Sequence, residues 1–333
     1  MALTATGCKN NINNRMKVLV FGAGGQLGKA FHALLSARKD LDVKYVGRTE
    51  CDLTDPLAMT QVLEQSQAQL IINAAAYTAV DQAETDTESA YAVNAHAPEL
   101  MAQYAAKHKA TFLHYSTDYV FDGSKLGFYL EDDVCNPLGV YGKSKRAGEV
   151  AIQKVFESSP AGQYAILRTS WVYGDGGNFI RTILRLAKER EELKVINDQY
   201  GVPTSAAWLA CISLELVLDA HSQIKTFPSG IYHAVPAGET TWYGLATQVL
   251  HSAIEAGMVL KLKPEAVKPI PAIEYPLPAP RPQNSRMATQ KLCSILLPMR
   301  ENPSNSYNDE GQSNTFPEWR KMVQKYVLDL STK

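Results

Sequence analysis

Long apolar runs, paired cysteines and an excess of charge of either sign are all missing from this 333-residue chain. No hydrophobic stretch reaches the ~18 residues that a membrane-spanning helix needs. The best candidate, residues 206–217, is broken by Glu215 and patterned as an amphipathic helix. With 33 basic and 34 acidic residues the formal net charge is -1, which gives no electrostatic reason to expect nucleic acid or an anionic membrane as partner. Any anionic ligand would have to be held by a local site. The five cysteines, Cys8, Cys51, Cys135, Cys211 and Cys293, are scattered and form no Cys-x-x-Cys pair. That argues against a disulfide framework or a zinc site and suits a reducing cytoplasm. The seven histidines show no spacing of a ligand pair on a helix, so no metal site is expected from them, and His114, inside an apolar run, reads as a packed or capping residue. No serine or cysteine nucleophile stands out either.

What is present is the composition of an ordinary soluble globular protein, 45% hydrophobic and 20% charged, with enough length to bury one large or two modest cores. Residues 1–15 are polar, rich in asparagine and without the apolar centre of a signal peptide. They read as a disordered extension before a second possible start at Met16.

Lys17-Val18-Leu19-Val20-Phe21 is a short apolar run that stops at Gly22-Ala23-Gly24-Gly25-Gln26-Leu27-Gly28, after which residues 29–38 have helical patterning. Strand, glycine turn and helix predict a dinucleotide site. Gly22 permits the tight turn, Gly25 lets backbone approach a pyrophosphate, and Gly28 allows close helix packing. The helix N-terminus then offers free N–H groups to phosphates. A second strand, residues 43–46, runs into Gly47-Arg48-Thr49. NAD sites ordinarily place a carboxylate here for the ribose hydroxyls. Arg48 can instead pair with the 2′-phosphate of NADP, its alternative being a solvated loop arginine, so the expectation is NADPH rather than NADH. Asp52 and Leu53 follow, placed to reach the adenine.

Residues 70–76 read as a fully buried parallel strand whose small final residues leave room for a cofactor. A long helix over about 87–107 carries Asn94, either a polar link in a proton path or a core amide. A fourth strand, 111–115, delivers Ser116-Thr117-Asp118-Tyr119 to the carboxyl edge of the sheet, where open α/β sheets bind ligands. Thr117 can hydrogen-bond a substrate carbonyl there, or cap its loop. Then comes Tyr141-Gly142-Lys143-Ser144-Lys145. Of sixteen tyrosines, Tyr141 alone has a lysine four residues later, the spacing that puts both on one helical face. A phenol that titrates near pH ~10 exchanges protons poorly at neutrality unless a cation favours its phenolate. Lys145 would supply that cation, and the pair could protonate the alkoxide formed when a hydride donor reduces a carbonyl.

After a strand at 165–168, Trp171 could pack against a sugar or a base, or fill the core. Helices are predicted over 179–191, 206–220 and 241–256, with a short strand at 231–235. The proline-dense residues 264–282 predict no regular structure. They close on Arg281-Pro282-Gln283-Asn284-Ser285-Arg286, whose two arginines, flanking Asn284, could clamp a diphosphate. No internal repeat is visible. The alternation predicts an α/β protein with a Rossmann-type doubly wound parallel sheet. Residues 16–175, also receiving 205–235, would bind NAD(P), and 176–333 would mainly form a smaller C-terminal α/β substrate domain.

With these residues assembled, the chain resembles the extended short-chain dehydrogenase/reductase family from residue 16 to about residue 297. The resemblance lies in Phe-Gly-x-x-Gly-Gln-x-Gly at 21–28, Asn-Ala-Ala-Ala-x-Thr-Ala-Val-Asp at 73–81, and His-Tyr-Ser-Thr-Asp-Tyr-Val-Phe at 114–121. To these add Val-Tyr-Gly-Lys-Ser-Lys at 140–145, Arg-Thr-Ser-Trp-Val-Tyr at 168–173, Asn-Asp-Gln-Tyr-Gly-x-Pro-Thr at 197–204 and Arg-Pro-x-Asn-Ser-Arg at 281–286. It implies a Rossmann domain with a smaller domain closing a cleft over a dTDP-sugar. The implied reaction is reduction of the C4 keto group of dTDP-4-dehydro-L-rhamnose to dTDP-L-rhamnose by NADPH or NADH, the last step of dTDP-rhamnose synthesis. By position it makes Thr117, Tyr141 and Lys145 the catalytic trio. Gly25, Gln26, Leu27, Asp52, Leu53, Ala76, Tyr77, Thr78 and Lys145 would touch the cofactor, while Thr117, Asp118 and Trp171 would touch the sugar nucleotide. Some members dimerise through a magnesium bridged by glutamates, and Glu189 sits at a matching place. A homodimer, with Mg2+ at its interface, is the corresponding expectation. The chain departs from the family pattern in the 1–15 extension and in a polar insertion at 300–315, ahead of a closing helix near 319–330.

Three other readings compete. A nucleotide-sugar dehydratase usually sets Asp-Glu after its active threonine, and here Thr117 is followed by Asp118 and Tyr119. Other nucleotide-4-keto-sugar reductases and epimerases share the trio. A non-catalytic NADP-binding regulatory subunit, similar to the β subunit of methionine adenosyltransferase, would bind NADP and a partner chain without turnover; the intact trio weighs against it.

Overall fold

The computed structural model describes residues 15–159, 161–296 and 316–332. The expected extension lies outside them except for Arg15, and the insertion at 300–315 lies wholly outside. The first strand, β1 (Met16–Phe21), feeds the glycine turn and helix α1 (Gln26–Leu35). This helix starts three residues before the patterning at Lys29 suggests, because Gly25 takes the extended N-cap conformation itself. There follow β2 (Leu41–Val46), α2 (Pro56–Ser66) and β3 (Leu70–Asn73). The strand predicted to run to residue 76 ends at Asn73, and Ala74 onward is irregular.

The single helix expected over 87–107 is three segments in line: α3 (Thr87–Tyr91), a π-helical turn (Ala92–His96) and α4 (Ala97–His108). Apolar periodicity does not register such a widened turn, since it leaves the buried face nearly unchanged. Strand β4 (Thr111–Thr117) is buried at every residue. Helix α5 (Val140–Ser158) carries Tyr141 and Lys145, and β5 (Gln163–Thr169) follows it.

Further on come α6 (Phe179–Glu189), α7 (Ala206–Val217), β6 (Gly230–His233), α8 (Trp242–Glu255), α9 (Gln290–Leu296) and α10 (Trp319–Ser331). Residues 206–233 thus return to the central sheet, where β6 pairs with β5. The six strands are all parallel in the order β6-β5-β4-β3-β1-β2. The chain moves outward from β1 to β2 and then back past β1 to β3, so the carboxyl ends of β1 and β3 flank the crevice where such sheets bind ligands.

Strands buried on both faces need two apolar covers. Val18, Val20, Ile72, Leu113 and Leu167 pack with Phe31 of α1 and Leu209, Ile212 and Leu216 of α7. Their sequence neighbours Leu19, Phe21, Ile71, Phe112 and Ile166 pack on the opposite face with Met59, Met101 and Ile152. Burial of each such side chain contributes about 1.5–3 kcal/mol. A third cluster holds Ile180, Ile183, Leu245, Val249, Trp319, Val323 and Val327.

The proline-dense segment corrects the sequence expectation. Val267–Ile270 is a strand, pairing in parallel with Leu193–Ile196 in a two-stranded sheet at which Pro269 is exposed. An edge strand tolerates a residue without an N–H, which is why proline density did not abolish pairing here.

Candidate functional site

At the glycine turn, Gly22 has a φ of +83°, and a Cβ on it would come within 2.5 Å of the Ala75 backbone nitrogen. Gly28 packs directly on the Gly22 carbonyl, with no space for a side chain. Above the turn, nothing lies within 4 Å of a Cβ built on Gly24, and Gly25 is the N-cap of α1, with no side-chain cap. The Gly25 N–H bonds the Gly22 carbonyl at 3.0 Å, and the uncapped first turn of α1 behind it offers the helix N-terminus that a dinucleotide pyrophosphate needs. Gln26 turns its side chain sideways: Nε2 donates to the Val172 carbonyl (3.3 Å), and Oε1 accepts from Asn178 (3.2 Å). Leu27 is buried beneath the helix.

Arg48 is exposed after β2, beside Asp52 and Leu53. The Thr54 N–H and hydroxyl hold the Asp52 carboxyl below its usual range, with a smaller pull from Arg48. After β3, Ala76 and Tyr77 are half-buried and Thr78 is exposed. Asn94, from the π-helical turn, fixes this loop: Oδ1 accepts from the Tyr77 N–H (2.9 Å) while Nδ2 donates to the Tyr77 carbonyl (3.1 Å) and to Ser144 Oγ (3.0 Å). Of the two readings of Asn94, the structure supports the core amide.

Thr117 closes β4 and caps the next turn, its Oγ1 accepting from the Tyr119 N–H at 3.2 Å and donating to Asp118 Oδ1 at 2.9 Å. Helix α5 is brought against this turn by Gly142, where a Cβ would run into the Tyr119 carbonyl. Farther along α5, Glu149 forms a buried two-pronged pair with Arg168 of β5, both bonds 2.8 Å. Tyr141, its ring edge-on to Tyr119 with centroids 5.4 Å apart, faces Thr117 and Asp118. Burial pushes its hydroxyl up to about 12; the Thr117 hydroxyl pulls it down and the Asp118 charge pushes it further up.

Lys145 does not meet the Tyr141 hydroxyl as their spacing predicts. Lys145 sits on the same helix face, but it is buried (1% exposed) and donates to the Tyr115 carbonyl at 2.5 Å, with Nε2 of His114 at 3.3 Å. Burial, rather than Lys145, sets the direction in which the Tyr141 hydroxyl is shifted. Burial also lowers Lys145 itself to about 8, against the pull of Glu149. The i,i+4 rule fixes the face and says nothing of a strand carbonyl that competes for the ammonium.

Asp118 is 2% exposed, and its Oδ2 has no hydrogen-bond partner among the described residues. Burial raises its carboxyl to about 6, despite the Ser285 and Thr117 hydroxyls. Trp171, past the end of β5, holds a φ of +47°, a left-handed conformation costly for a bulky residue. Its ring stacks on Trp242, with centroids 3.7 Å apart. Trp242 was not legible as a partner, since it lies 71 positions away (242 − 171) on α8.

The arginines of the closing motif already have partners. Arg281 pairs with both oxygens of Asp81 (2.7 and 2.9 Å). Arg286 pairs with Glu239 (3.0 Å) and lies over the Tyr200 and Phe128 rings. Asn284 donates to the carbonyls of Lys125 (2.5 Å) and Gly127 (2.8 Å). A diphosphate would have to draw these guanidinium groups from Asp81 and Glu239. Glu189 pairs with Arg185 on its own helix, and among the described residues no group of three or more His, Cys, Asp or Glu could hold a metal ion. The magnesium expectation gains no support. Among the same residues no helix is long and apolar enough to cross a membrane.

A doubly wound parallel sheet, a glycine turn into α1 and a tyrosine-lysine helix beside the crevice define a Rossmann-fold oxidoreductase of the short-chain dehydrogenase/reductase type. A family model described as RmlD substrate binding domain matches residues 16–304. The chain is 43% identical over 289 residues to a dTDP-4-dehydrorhamnose reductase of Escherichia coli K12, covering 85% of this chain and 94% of that one. It is 39% identical over 318 residues to one from Burkholderia thailandensis, covering 95% and 99%. Among solved structures, a dTDP-4-dehydrorhamnose reductase of Clostridium acetobutylicum superposes with a TM-score of 0.80 at 31% identity, covering 96% of this chain and all (100%) of that one. Another, from Bacillus anthracis in complex with NADP, gives 0.79 at 30% identity, covering 95% and 100%. The chain belongs to the dTDP-4-dehydrorhamnose reductase family.

Proposed function

We propose that this chain reduces the C4 keto group of dTDP-4-dehydro-L-rhamnose to dTDP-L-rhamnose, with Tyr141 as the acid. Reduced NADP, when bound, supplies the hydride to C4. The observation that carries the assignment is the place of half-buried Tyr141, in the first turn of α5 beside Thr117 and Asp118, where burial pushes its hydroxyl up to about 12. Reduction consumes a proton at the carbonyl oxygen, so the useful resting form is the neutral phenol, which burial preserves at every physiological pH. Thr117 orients the substrate oxygen with its hydroxyl. Lys145, anchored to the Tyr115 carbonyl, holds the cofactor ribose and places positive charge near the developing oxyanion. Oδ2 of Asp118 is a buried acceptor suited to a sugar hydroxyl, and Trp171 gives the base or sugar a flat apolar face.

Gly22, Gly25, Gln26, Leu27 and Gly28 would hold the cofactor's pyrophosphate, Asp52 and Leu53 its adenine end, and Ala76, Tyr77 and Thr78 its nicotinamide half. Residues 16–175 with 205–235 serve the cofactor, and most of 176–333 serves the sugar nucleotide, with Arg281, Asn284 and Arg286 shaping its wall. Arg48 selects NADPH. Tyr141→Phe is expected to lower kcat for NADPH oxidation with the keto sugar by about 10²–10⁴-fold; wild-type turnover in that variant would remove Tyr141 from the mechanism. Arg48→Ala is expected to reduce the NADPH over NADH preference about tenfold, measured as a ratio of kcat/KM values, which corresponds to about 1.4 kcal/mol.

A further inference from the structure

Lys145 and His114 form a buried pair that the reaction proposed above leaves unexplained. His114, on β4, is fully buried. Its Nε2 lies 3.3 Å from Nζ of Lys145, and its Nδ1 lies 3.1 Å from Nδ2 of Asn73 on β3. The Asn73 amide is not free to turn over, because its Oδ1 accepts the Ala75 N–H at 3.1 Å. Nδ2 must therefore donate to Nδ1 of His114. A neutral imidazole that accepts at Nδ1 carries its proton on Nε2. Burial and the neighbouring lysine keep His114 neutral, well below its ordinary range. The Nε2–H then points at Nζ, where an ammonium has no lone pair to accept it and a neutral amine has one.

We propose that His114 is a positioning residue for this site: the chain from Ala75 through Asn73 fixes its tautomer, presents an N–H to Nζ of Lys145, and so favours the neutral amine. The inference rests on the reading of Lys145 given under the proposed function. Glu149, one turn further along α5, opposes it by favouring the ammonium, and is itself held by Arg168 of β5 and by Arg146. Tyr141, one turn earlier, Asp118, which faces Tyr141, and Tyr119, whose ring packs edge-on to Tyr141 at 5.4 Å, are further titratable groups at the site. His114 thus sets the pH at which Lys145 gains its charge, and with it the charge beside the substrate oxygen.

The test is nitrogen NMR of the full chain labelled with ¹⁵N-histidine, between pH 6 and 9, with His114 assigned by its loss in His114→Gln. The expected wild-type signature is a neutral ring protonated on Nε2, whose Nε2 resonance moves as Lys145 titrates and no longer moves in Lys145→Met. Asn73→Asp turns the donor into an acceptor. It should flip the proton to Nδ1 and shift the alkaline limb of the kcat/KM profile upward by about one pH unit, a tenfold change in the lysine's proton affinity. In Asn73→Asp/His114→Phe the carboxylate remains and the relay is gone, so the shift should be lost. A wild-type ring protonated on Nδ1 overturns the proposal. So does an equal shift in the double variant, which would assign the effect to the carboxylate's field alone. The wild-type tautomer is read without substrate, so absence of reductase activity would count against the proposed function and leave this result to stand or fall separately.

Discussion

The acid groups at the site differ in what burial does to them, and Asp118 offers the sharpest measurement. Its carboxyl titrates near 6 in the folded chain and near ~3.8 when unfolded. Between those values the folded state keeps a proton that the unfolded state has released. Stability from this group therefore falls as pH rises through the window and stays lower above it. Asp118→Asn removes the charge while retaining an oxygen for the Thr117 hydroxyl. The variant is expected to be more stable than wild type at pH 8, by on the order of 2 kcal/mol, with the gain shrinking toward pH 4. Thermal melts at the two pH values measure it; an equal difference at both would mean that folding does not raise the Asp118 pKa. The same physics explains why residue types alone misjudged the tyrosine. The sequence shows a cation one helical turn from Tyr141, but the sign of a pKa shift depends on whether that cation or the loss of water dominates, and only packing decides it.

At the scale of elements, the succession of strands along the chain and the carboxyl edge they offer a ligand were readable because each depends on local pattern: β1 is an apolar run, Gly22 opens a glycine turn, and Thr117 ends a buried strand. What could not be read is where separate elements touch. Gly142 looks like a weak helix residue, yet it is the point at which α5 meets the Tyr119 carbonyl. The π-helical turn that carries Asn94 and the edge strand at Val267–Ile270 escaped for the related reason that tertiary partners, rather than propensity, maintain them. Gly142→Ala tests the contact. An added methyl group must push helix and turn apart, at a cost of about 1–3 kcal/mol. It also displaces the adjacent Tyr141 relative to Thr117, and a displacement near 1 Å can cost about 10²-fold in rate. The expectation is a fall in kcat much larger than any change in KM for NADPH, whereas a stability loss with normal kcat would show that α5 is positioned elsewhere.

Across the whole molecule, the last helix is tied to the first glycine turn by a short chain of hydrogen bonds. Tyr326 of α10 donates its hydroxyl to the Gly174 carbonyl at 2.6 Å and accepts from Asn178 (3.1 Å) and Arg181 (3.0 Å). Asn178 Nδ2 also donates to Oε1 of Gln26, the first residue of α1. A segment that belongs to the C-terminal cluster thus braces the helix end where the cofactor phosphates are proposed to sit. Tyr326→Phe removes the hydroxyl that accepts from Asn178 and Arg181 and donates to the Gly174 carbonyl, while Asn178 keeps its bonds to Gln26, Gly174 and Gly176 and Arg181 keeps Asp175, for a loss of about 0.5–1.5 kcal/mol per bond removed. A purely structural brace would lower Tm and leave cofactor affinity alone. If the brace also fixes the N–H groups of α1, NADPH binding weakens as well, because the free protein then populates orientations of α1 that bind phosphate poorly and apparent affinity falls with the competent fraction. The expected outcome is a Kd for NADPH raised several-fold, measured by fluorescence titration. The stabilisation conferred by a fixed NADPH concentration, about 2.7 kcal/mol at 100 times the Kd, should shrink in step with that rise, and a variant with lowered Tm but unchanged Kd would confine Tyr326 to packing.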